Sequence, residues 1–304
     1  ATIAACKYLK ESYKKYGNGL SLDDWRRANV NDFVKSISIS IKNIKPWVQF
    51  GISPFGVWRN KSVDPKGSET ESGQTNYDDL YADPLAWMEN QWIDYLVPQL
   101  YWSINHPKAS YSKLLRWWSE NSKNTAIYIG NGTYKINTDS DKRWNNPNEI
   151  PDQIDITRTY KNIQGNAFFS AKSFLNRNQK VTQLLVENQY KYPALPWVVP
   201  NFVKKVIAIP TVNTLVKNEL SSSFNVNYPL NSQVRYIMVY AAQFSTKVDV
   251  NDPSQIMDKI AFNEKNEAVA VVIPNQKLDQ NNSCAITFID FYGNESEATI
   301  VNFS

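Results

Sequence analysis

The sequence has few of the side chains on which metal sites and nucleophilic sites usually depend. It contains two cysteines and one histidine among 304 residues. Cys6 and Cys284 are too few for a disulfide framework. A zinc site, a Ser-His-Asp triad or a Cys-His dyad would each need His106, which lies in the loop-like sequence Asn105-His106-Pro107. We interpret His106 as an ordinary surface residue and expect any chemistry from carboxylates, tyrosines and amides, without a metal or another cofactor.

Long apolar runs and a strong net charge are also missing. Apolar runs such as Ala268–Pro274 fall far short of the ~20 residues of a transmembrane helix, so no transmembrane segment is expected. The net charge of +4 is small and spread along the chain, which argues against nucleic acid as a partner. Ala1–Lys10 has neither the charged start nor the apolar core of a signal peptide. The 42% of hydrophobic and 13% of aromatic residues instead indicate a folded globular protein.

An α/β pattern occupies the first two thirds of the chain. Four nearly continuous apolar runs predict strands that are buried on both faces of a parallel sheet: Trp47–Ile52, Tyr95–Leu100, Thr125–Ile129 and Asn166–Ser170. Helical patterns accompany them: Asn29–Lys45, Ser110–Asn121, Pro151–Ile163 and Asn178–Tyr190. Asn29 is the predicted N-cap of the first of these helices. The alternation predicts a (β/α) arrangement whose strands all end on one face.

A different pattern begins near Tyr192–Pro196, where the helical stripes stop. Short β-type runs separated by turn clusters follow: Lys205–Ile209, Val234–Tyr240, Ala268–Ile273 and Ala285–Asp290. They predict a small antiparallel β-sandwich of about 100 residues, of the kind found in immunoglobulin-like domains. The proline-rich stretch Pro193–Pro200 is the predicted joint. The predicted domains are therefore residues 1–195 and residues 196–304.

Aromatic and amide side chains follow the predicted strands. In α/β barrels the chemistry lies on the loops after the strands. An indole or phenol ring can stack on the apolar face of a sugar while amides bind its hydroxyl groups. A carbohydrate cleft is therefore one interpretation, and aromatic side chains that merely cap the barrel core are the other. The candidates are Trp58, Gln99, Tyr101, Trp102 and Tyr134.

Carboxylates are missing from the same strand ends. Glycoside hydrolysis usually needs two of them on either side of the scissile bond. Asp94 precedes its strand, and Asp78 and Asp79 lie in the long loop 60–83, where we interpret them as solvated loop acids. Asp23 and Asp24 are as suitable for starting a helix as for catalysis. The catalytic residues therefore stay unknown.

Three segments resemble motifs of a known family. Asp24–Val30 reads DWRRANV, Phe50–Trp58 reads FGISPFGVW, and Asp94–Trp102 reads DYLVPQLYW. Over about Glu11–Pro196 the chain resembles glycosyl hydrolase-like family 10, a group of bacterial envelope proteins with a TIM-type barrel. The last hundred residues resemble the fibronectin type III-like domain that often follows this barrel.

The resemblance implies a glycoside hydrolase that acts on a bacterial envelope polysaccharide, of the peptidoglycan type, by carboxylate acid/base chemistry. It adds Arg26, Arg27 and Asn29 to the candidates for the cleft. Family members carry an acidic pair in an upstream half of the barrel, and nothing in Ala1–Gly19 matches it. We therefore expect only the C-terminal half of a barrel, about four βα units, completed by an upstream half or a second chain.

Two alternatives stay open. One is a non-catalytic carbohydrate-binding barrel whose acids are absent from this chain, and the other is a scaffold that binds no glycan. The expected location is the cell envelope, as a periplasmic, surface lipoprotein or secreted protein whose signal segment lies outside this chain. The length agrees with an incomplete barrel, because about 195 residues remain for it and a whole one typically needs ~250.

Overall fold

The alternation of helices and strands is present in a computed structural model of the protein. The structure describes residues 2–175, 178–195, 207–227, 229, 234–242, 247–262, 268–279 and 281–303, and of residues 2–8 the backbone alone. The chain divides into two compact units, Ala1–Gln189 and Tyr190–Ser304. The predicted boundary at residues 195 and 196 borders residues outside the described part.

The first unit is built from helices around one small sheet. The helices are α1 Thr2–Tyr16, α2 Leu22–Ile44, α3 Pro84–Glu89, α4 Tyr111–Glu120, α5 Glu149–Arg158, α6 Lys172–Leu175 and α7 Gln179–Glu187. The strands are β1 Gly51–Ile52, β2 Tyr95–Leu96, β3 Ala126–Asn131 and β4 Ile163–Phe168. They form a parallel sheet in the order β1-β2-β3-β4. This confirms the predicted α/β class.

The first two strands are shorter than predicted. β1 lacks the predicted residues Trp47–Phe50 at its start, and β2 lacks Val97–Leu100 at its end. Pro54 just past β1 and Pro98 in the predicted second strand lack the amide hydrogen that a continuous ladder needs. Their carbonyl groups still accept hydrogen bonds, from Gln99 N at 3.0 Å and from Gly130 N at 2.9 Å. Isolated bridges between Phe55 and Gln99 and between Gln99 and Gly130 carry the parallel alignment past the prolines. The ends of β1, β2 and β3 therefore lie side by side.

Helix α2 starts earlier than the apolar pattern predicts. Ser21 is its N-cap, and the Ser21 side chain accepts a hydrogen bond from Asp24 N at 3.1 Å. Asp23 and Asp24 lie in the first turn, where carboxylates are favourable. The prediction of Asn29 as the N-cap is wrong, because Asn29 lies inside the helix. The second predicted helix, Ser110–Asn121, is confirmed as α4 Tyr111–Glu120, whose N-cap is Ser110 and whose C-cap is Asn121.

The core of the first unit lies between the sheet and its helices. Leu96, Ile127 and Ile129 pack from the sheet against Leu114 and Trp118 of α4, and all five are fully buried. The indole nitrogen of Trp118 donates a hydrogen bond to Gly56 O at 2.8 Å. This bond joins α4 to the segment after β1, and so fixes the edge of the sheet where the strands end.

The second unit consists of two antiparallel sheets. Its strands are β5 Val212–Lys217, β6 Ser221–Asn227, β7 Val234–Tyr240, β8 Ile256–Ala261, β9 Ala268–Pro274, β10 Ser283–Asp290 and β11 Thr299–Asn302. One sheet has the order β11-β10-β7-β8 and the other β5-β6-β9. Phe224 and Val271 from the smaller sheet share a core with Ile237 and Phe288 from the larger one.

Three of the four β-type runs predicted for this region are confirmed as β7, β9 and β10. Of the fourth, Lys205–Ile209, the first two residues lie outside the described part, as do Pro196–Pro200 of the predicted joint. Residues 207–209 belong to no strand. Throughout the described ranges, no helix combines the length and the apolar character that crossing a membrane requires.

Candidate functional site

Three aromatic side chains cluster at the edge where the strands end. Tyr101 follows β2, Tyr134 follows β3 and Phe169 follows β4. The ring of Tyr101 lies 5.9 Å from that of Tyr134 and 6.1 Å from that of Phe169, centroid to centroid, and the last two are 5.9 Å apart. Tyr134 is 46% exposed and Phe169 is 57% exposed. We call these three residues the aromatic platform.

The backbone beneath the platform is tightly packed. Tyr134 N donates a hydrogen bond to Phe169 O at 3.2 Å, and Phe169 N donates one to Asn131 O at 3.0 Å. A Cβ atom at Gly132 would lie 3.0 Å from the Cβ atom of Tyr101. A side chain at position 132 would therefore require Tyr101 to shift by a few tenths of an ångström. The three rings are held by neighbouring strand ends of one sheet, so their spacing is preset by the fold.

Two further predicted residues lie at the same edge. The Gln99 amide nitrogen donates hydrogen bonds to Ser53 O at 3.1 Å and Ser53 Oγ at 3.2 Å, and Gln99 is half-buried. Trp102 is half-buried and meets Phe55 edge-on with 5.4 Å between the ring centroids. The structure thus brings Gln99, Tyr101 and Tyr134 together, with Trp102 beside them.

A buried polar network supports this edge from the helix side. The Glu149 carboxylate accepts a hydrogen bond from Ile104 N at 2.6 Å, and the Gln153 amide nitrogen donates to Trp102 O at 3.2 Å. The Gln153 amide oxygen accepts from the Asn131 side chain at 2.8 Å. Burial raises the pKa of Glu149 above its ordinary value. The network ties the segment after β2 to the end of β3.

Phe169, Glu149 and Gln153 are not among the residues that the sequence predicts for this edge. Phe169 directly follows β4 Ile163–Phe168, but the predicted fourth strand, Asn166–Ser170, included it and therefore did not mark it as a strand-end residue. Glu149 and Gln153 are four residues apart and share one face of α5, but a polar pair at this spacing is equally typical of a solvated helix face. Nothing in the sequence signals that this face is buried.

Trp58 lies away from open solvent. It is 6% exposed, and its ring stacks on Trp117 with 5.9 Å between centroids and 15° between the planes. Its indole nitrogen donates a hydrogen bond to Asp83 Oδ1 at 3.2 Å. Tyr77 meets the same ring edge-on. These contacts leave little of the Trp58 ring face for stacking on a sugar, so the residue packs in the core.

The candidates Arg26 and Arg27 hold the loop 60–83 against α2. The Arg26 guanidinium lies 4.6 Å from the ring centroid of Tyr81 and donates a hydrogen bond to its hydroxyl at 2.6 Å. The Arg27 guanidinium lies 4.2 Å from the ring centroid of Tyr77 and donates to Tyr77 O at 2.9 Å. Asn29 is exposed on the same helix.

Several carboxylates considered for catalysis are engaged in structural contacts. Arg59 binds Asp78 with two nitrogens, at 3.0 and 2.7 Å, and Asp79 accepts a hydrogen bond from Thr75 N at 2.7 Å. Asp79 is exposed and Asp78 partly exposed, so both are loop acids in contact with solvent, and these partners also give them a role in organising the loop. Asp94 pairs with Lys42 Nζ at 2.7 Å, before the start of β2.

Asp23 and Asp24 serve the start of α2, one of the two roles left open by the sequence. Asp23 pairs with Arg26 at 3.0 Å and Asp24 with Arg27 at 2.6 Å. The pKa of Asp24 is lowered, first by the hydrogen bond from Ser21 and then by the one from Arg27. Both carboxylates are thus held by groups of their own helix.

The single histidine is held by a hydrogen bond within its own turn. His106 Nδ1 accepts a hydrogen bond from Ala109 N at 3.1 Å, within the turn before α4. Burial lowers the pKa of His106. Within the part of the chain that the structure describes, no group of three or more histidine, cysteine, aspartate and glutamate side chains could hold a metal ion.

The matching family profile and the similar curated proteins all carry glycosyl hydrolase names. A sequence profile of the family "Glycosyl hydrolase-like 10" matches residues 4–146. "Glycosyl hydrolase YngK" of Bacillus subtilis (strain 168) is 41% identical over 239 residues, which are 75% of this chain and 46% of that protein. "Glycosyl hydrolase DigH" of Escherichia coli (strain K12) is 40% identical over 177 residues, 56% of this chain and 40% of that protein. The chain thus spans less than half the length of these relatives.

Solved structures show only a weak likeness. The Clostridium perfringens spore cortex lytic enzyme SleM has a TM-score of 0.22 at 11% identity, over 69% of this chain and 67% of that one. OgpA from Akkermansia muciniphila has a TM-score of 0.27 at 11% identity, over 69% of this chain and 63% of that one. Scores this low carry no argument about fold or function.

Proposed function

Because this chain belongs to the glycosyl hydrolase-like 10 family, we propose that it is the substrate-binding, C-terminal half of a barrel-type glycoside hydrolase. The substrate is a bacterial envelope polysaccharide of the peptidoglycan type. The reaction is hydrolysis of a glycosidic bond by two carboxylates, one of which protonates the leaving oxygen. The cell envelope is the place of action.

The incomplete sheet supports the half-barrel. A TIM barrel closes with eight parallel strands, and the sheet β1-β2-β3-β4 has four, with β1 and β4 as open edges. Helix α2, next to β1 in the chain, exposes Phe33 by 65% and Ile44 by 75%. An upstream half would pair with both sheet edges and cover these apolar side chains.

The aromatic platform is the observation that carries the assignment to a glycan. The exposed rings of Tyr134 and Phe169 can stack on the apolar face of a sugar, and the half-buried Gln99 amide at the same edge can bind hydroxyl groups. Burial raises the pKa of Tyr101, so its phenol keeps its proton and can donate a hydrogen bond. Trp102 extends the same edge.

The catalytic acids belong to the upstream half in this proposal, because Asp78, Asp79 and Asp94 each hold structural partners. The same observation favours a second candidate, a carbohydrate-binding barrel without hydrolytic activity. The two candidates share the platform and differ only in turnover.

The second unit is a fibronectin type III-like domain in this proposal. Its sheets combine three strands, β5-β6-β9, with four, β8-β7-β10-β11. This division supports the assignment, since sandwiches of the immunoglobulin kind distribute their strands over two antiparallel sheets that share one core. We place the domain boundary at residues 195 and 196, six residues after the end of the first compact unit at Gln189.

The first experiment measures binding. The 304-residue chain is titrated calorimetrically with soluble glycan fragments released from peptidoglycan. We expect binding that Tyr101→Ala weakens about tenfold, a loss of about 1.4 kcal/mol. Phe33→Ala, an exposed aromatic residue on α2, is the control and should leave affinity unchanged. Absence of binding, or equal loss in both variants, would contradict the proposal.

The second experiment measures turnover. Glycan cleavage is compared for this chain alone and for the chain together with an upstream half supplied as a separate polypeptide. Cleavage only in the mixture supports the enzyme, and binding without cleavage in either supports the second candidate. Robust turnover by the chain alone that survives Asp78→Asn and Asp79→Asn would refute the placement of the acids upstream.

A further inference from the structure

A positively charged cavity lies on the first unit, between the loop segment 61–69 and helix α4. Its volume is about 220 Å³. Its charged wall residues are four cations, Lys61, Lys66, Lys113 and Arg116, and two carboxylates, Glu69 and Glu120. A water molecule takes ~30 Å³ in the liquid, so the space holds several waters or one tetrahedral anion with part of its hydration shell. The cations exceed the carboxylates by two.

One carboxylate of the chain already reaches three of these cations. Glu69 lies 3.4 Å from Lys61 Nζ, 3.8 Å from Lys113 Nζ and 3.8 Å from Arg116 Nη2. All four side chains are about half exposed. The hydrogen bond from Lys61 and the charges of Lys61, Lys113 and Arg116 lower the pKa of Glu69. The cations therefore converge on an oxyanion, at distances that are long for direct ion pairs.

The wall of the cavity is held in place without a ligand. The Trp117 indole nitrogen donates a hydrogen bond to Lys66 O at 2.8 Å, which fixes the loop segment to α4. Trp117 is itself 7% exposed and stacks on the buried Trp58. The loop segment is thus joined to α4 at Lys66, and movement of the half-exposed side chains of Lys61, Lys113 and Arg116 can close on an anion.

We propose that this cavity is a binding site for a phosphate group, with Lys61, Lys113 and Arg116 as its ligands and Glu69 as an internal competitor. A phosphate monoester carries about 1.5 to 2 negative charges at neutral pH, and its three oxygens can meet three donors at once. Exposed ion pairs contribute only ~0–1 kcal/mol, so the Glu69 carboxylate is displaced at little cost. This site is independent of the aromatic platform and of the proposed function.

The test is a titration with inorganic phosphate at constant ionic strength, followed by nuclear magnetic resonance at the Trp117 indole N–H, which is assigned with Trp117→Phe. We expect a saturable shift. Arg116→Gln and Lys113→Gln should each weaken binding several-fold. Glu69→Gln should strengthen it about threefold or more, because the competitor is removed. Glu89→Gln removes a carboxylate from a comparable surface pair, with Lys123 at 3.4 Å, and should change nothing.

The sign of the Glu69→Gln effect separates the site from an ordinary network of surface charges. Weaker or unchanged binding in Glu69→Gln, a shift that does not saturate, or an equal gain in Glu89→Gln would overturn the proposal. A parallel titration with glycerol 3-phosphate, a phosphate monoester, distinguishes free phosphate from a phosphate monoester as the ligand. Binding of either ligand with the expected pattern supports the site, and the stronger ligand identifies which of the two the site prefers.

Discussion

Aromatic residues follow every strand of the parallel sheet, but they are buried at the β1 side of the sheet and about half exposed at the β4 side. After β1, Trp58 is enclosed by Tyr77 and Trp117. After β3 and β4, Tyr134 and Phe169 stand about half exposed. The difference arises from the next segment of the chain, because the loop 60–83 folds back over the end of β1, whereas Tyr134 lies in a single short turn. The path of that segment, more than residue type, decides whether a strand-end aromatic ring packs or is available to a ligand.

The largest expected effect tests the enclosed side of this comparison. Trp58→Ala removes a nearly buried indole from between Tyr77 and Trp117 and leaves a cavity, which should lower the free energy of unfolding by about 3–5 kcal/mol. Urea unfolding followed by circular dichroism measures this loss. Trp47→Ala, at an exposed indole before β1, is the matched control and should cost less than ~1 kcal/mol. A similar loss of unfolding free energy in Trp58→Ala and Trp47→Ala would contradict the enclosure of Trp58.

The second effect concerns the loop that makes the enclosure. Arg59 binds Asp64 at 2.9 Å and Asp78 at 2.7 Å, and its guanidinium lies 4.7 Å from the ring centroid of Tyr77. We expect Arg59→Ala to cost about 1–2 kcal/mol, a value reduced from that of a buried pair because Asp78 is partly exposed. It should also make the loop 60–83 cleavable by protease at low concentration. Lys61→Ala, in the same loop, should leave proteolysis unchanged.

The third effect tests the open side. Phe169→Ala removes an exposed ring of the platform, so stability should change by less than ~0.5 kcal/mol. Glycan affinity should fall about tenfold, equivalent to 1.4 kcal/mol. Calorimetric titration and urea unfolding on the same sample separate the two quantities. If Phe169→Ala instead destabilises the chain as Trp58→Ala does, the two sides of the sheet do not differ.

The smallest effect is a dependence on pH. Burial is the main cause that raises the pKa of Glu149 above its ordinary value of 4.5. The folded state then binds this proton more tightly than the unfolded state does. Its contribution to stability is complete below pH 4.5 and is lost as the pH rises through the raised pKa. Glu149→Gln keeps an acceptor for Ile104 N and should therefore flatten this decline.

Unfolding midpoints in urea between pH 4 and pH 8 check this prediction. Glu187→Gln removes a carboxylate at the exposed end of α7 and serves as the control. If the pH profile of Glu149→Gln is parallel to that of the unchanged chain, the titration of Glu149 does not cause the decline in stability, and the prediction is wrong.

The sequence predicts the parts of this site that depend on order along the chain. The α/β alternation and the place of Tyr101 and Tyr134 after apolar runs follow from local patterns. The enclosure of Trp58 does not, because it depends on a loop that returns across α4. Arg26 and Arg27 show the same division: their pairing with Asp23 and Asp24 is visible in the sequence. Their stacking on tyrosines at least 50 residues away is a result of the fold.

The glycine at position 132 limits which substitutions the aromatic platform can accommodate. A Cβ atom there would lie 3.0 Å from the Cβ atom of Tyr101, so a substitution requires Tyr101 to shift by a few tenths of an ångström. Tyr134 and Phe169 border open space and can be exchanged for other residues without such a conflict. A mutant library intended to change glycan preference should therefore keep position 132 constant and diversify positions 134 and 169. In the proposed function, substitutions at positions 134 and 169, after two neighbouring strands, can change glycan specificity while Gly132 is retained.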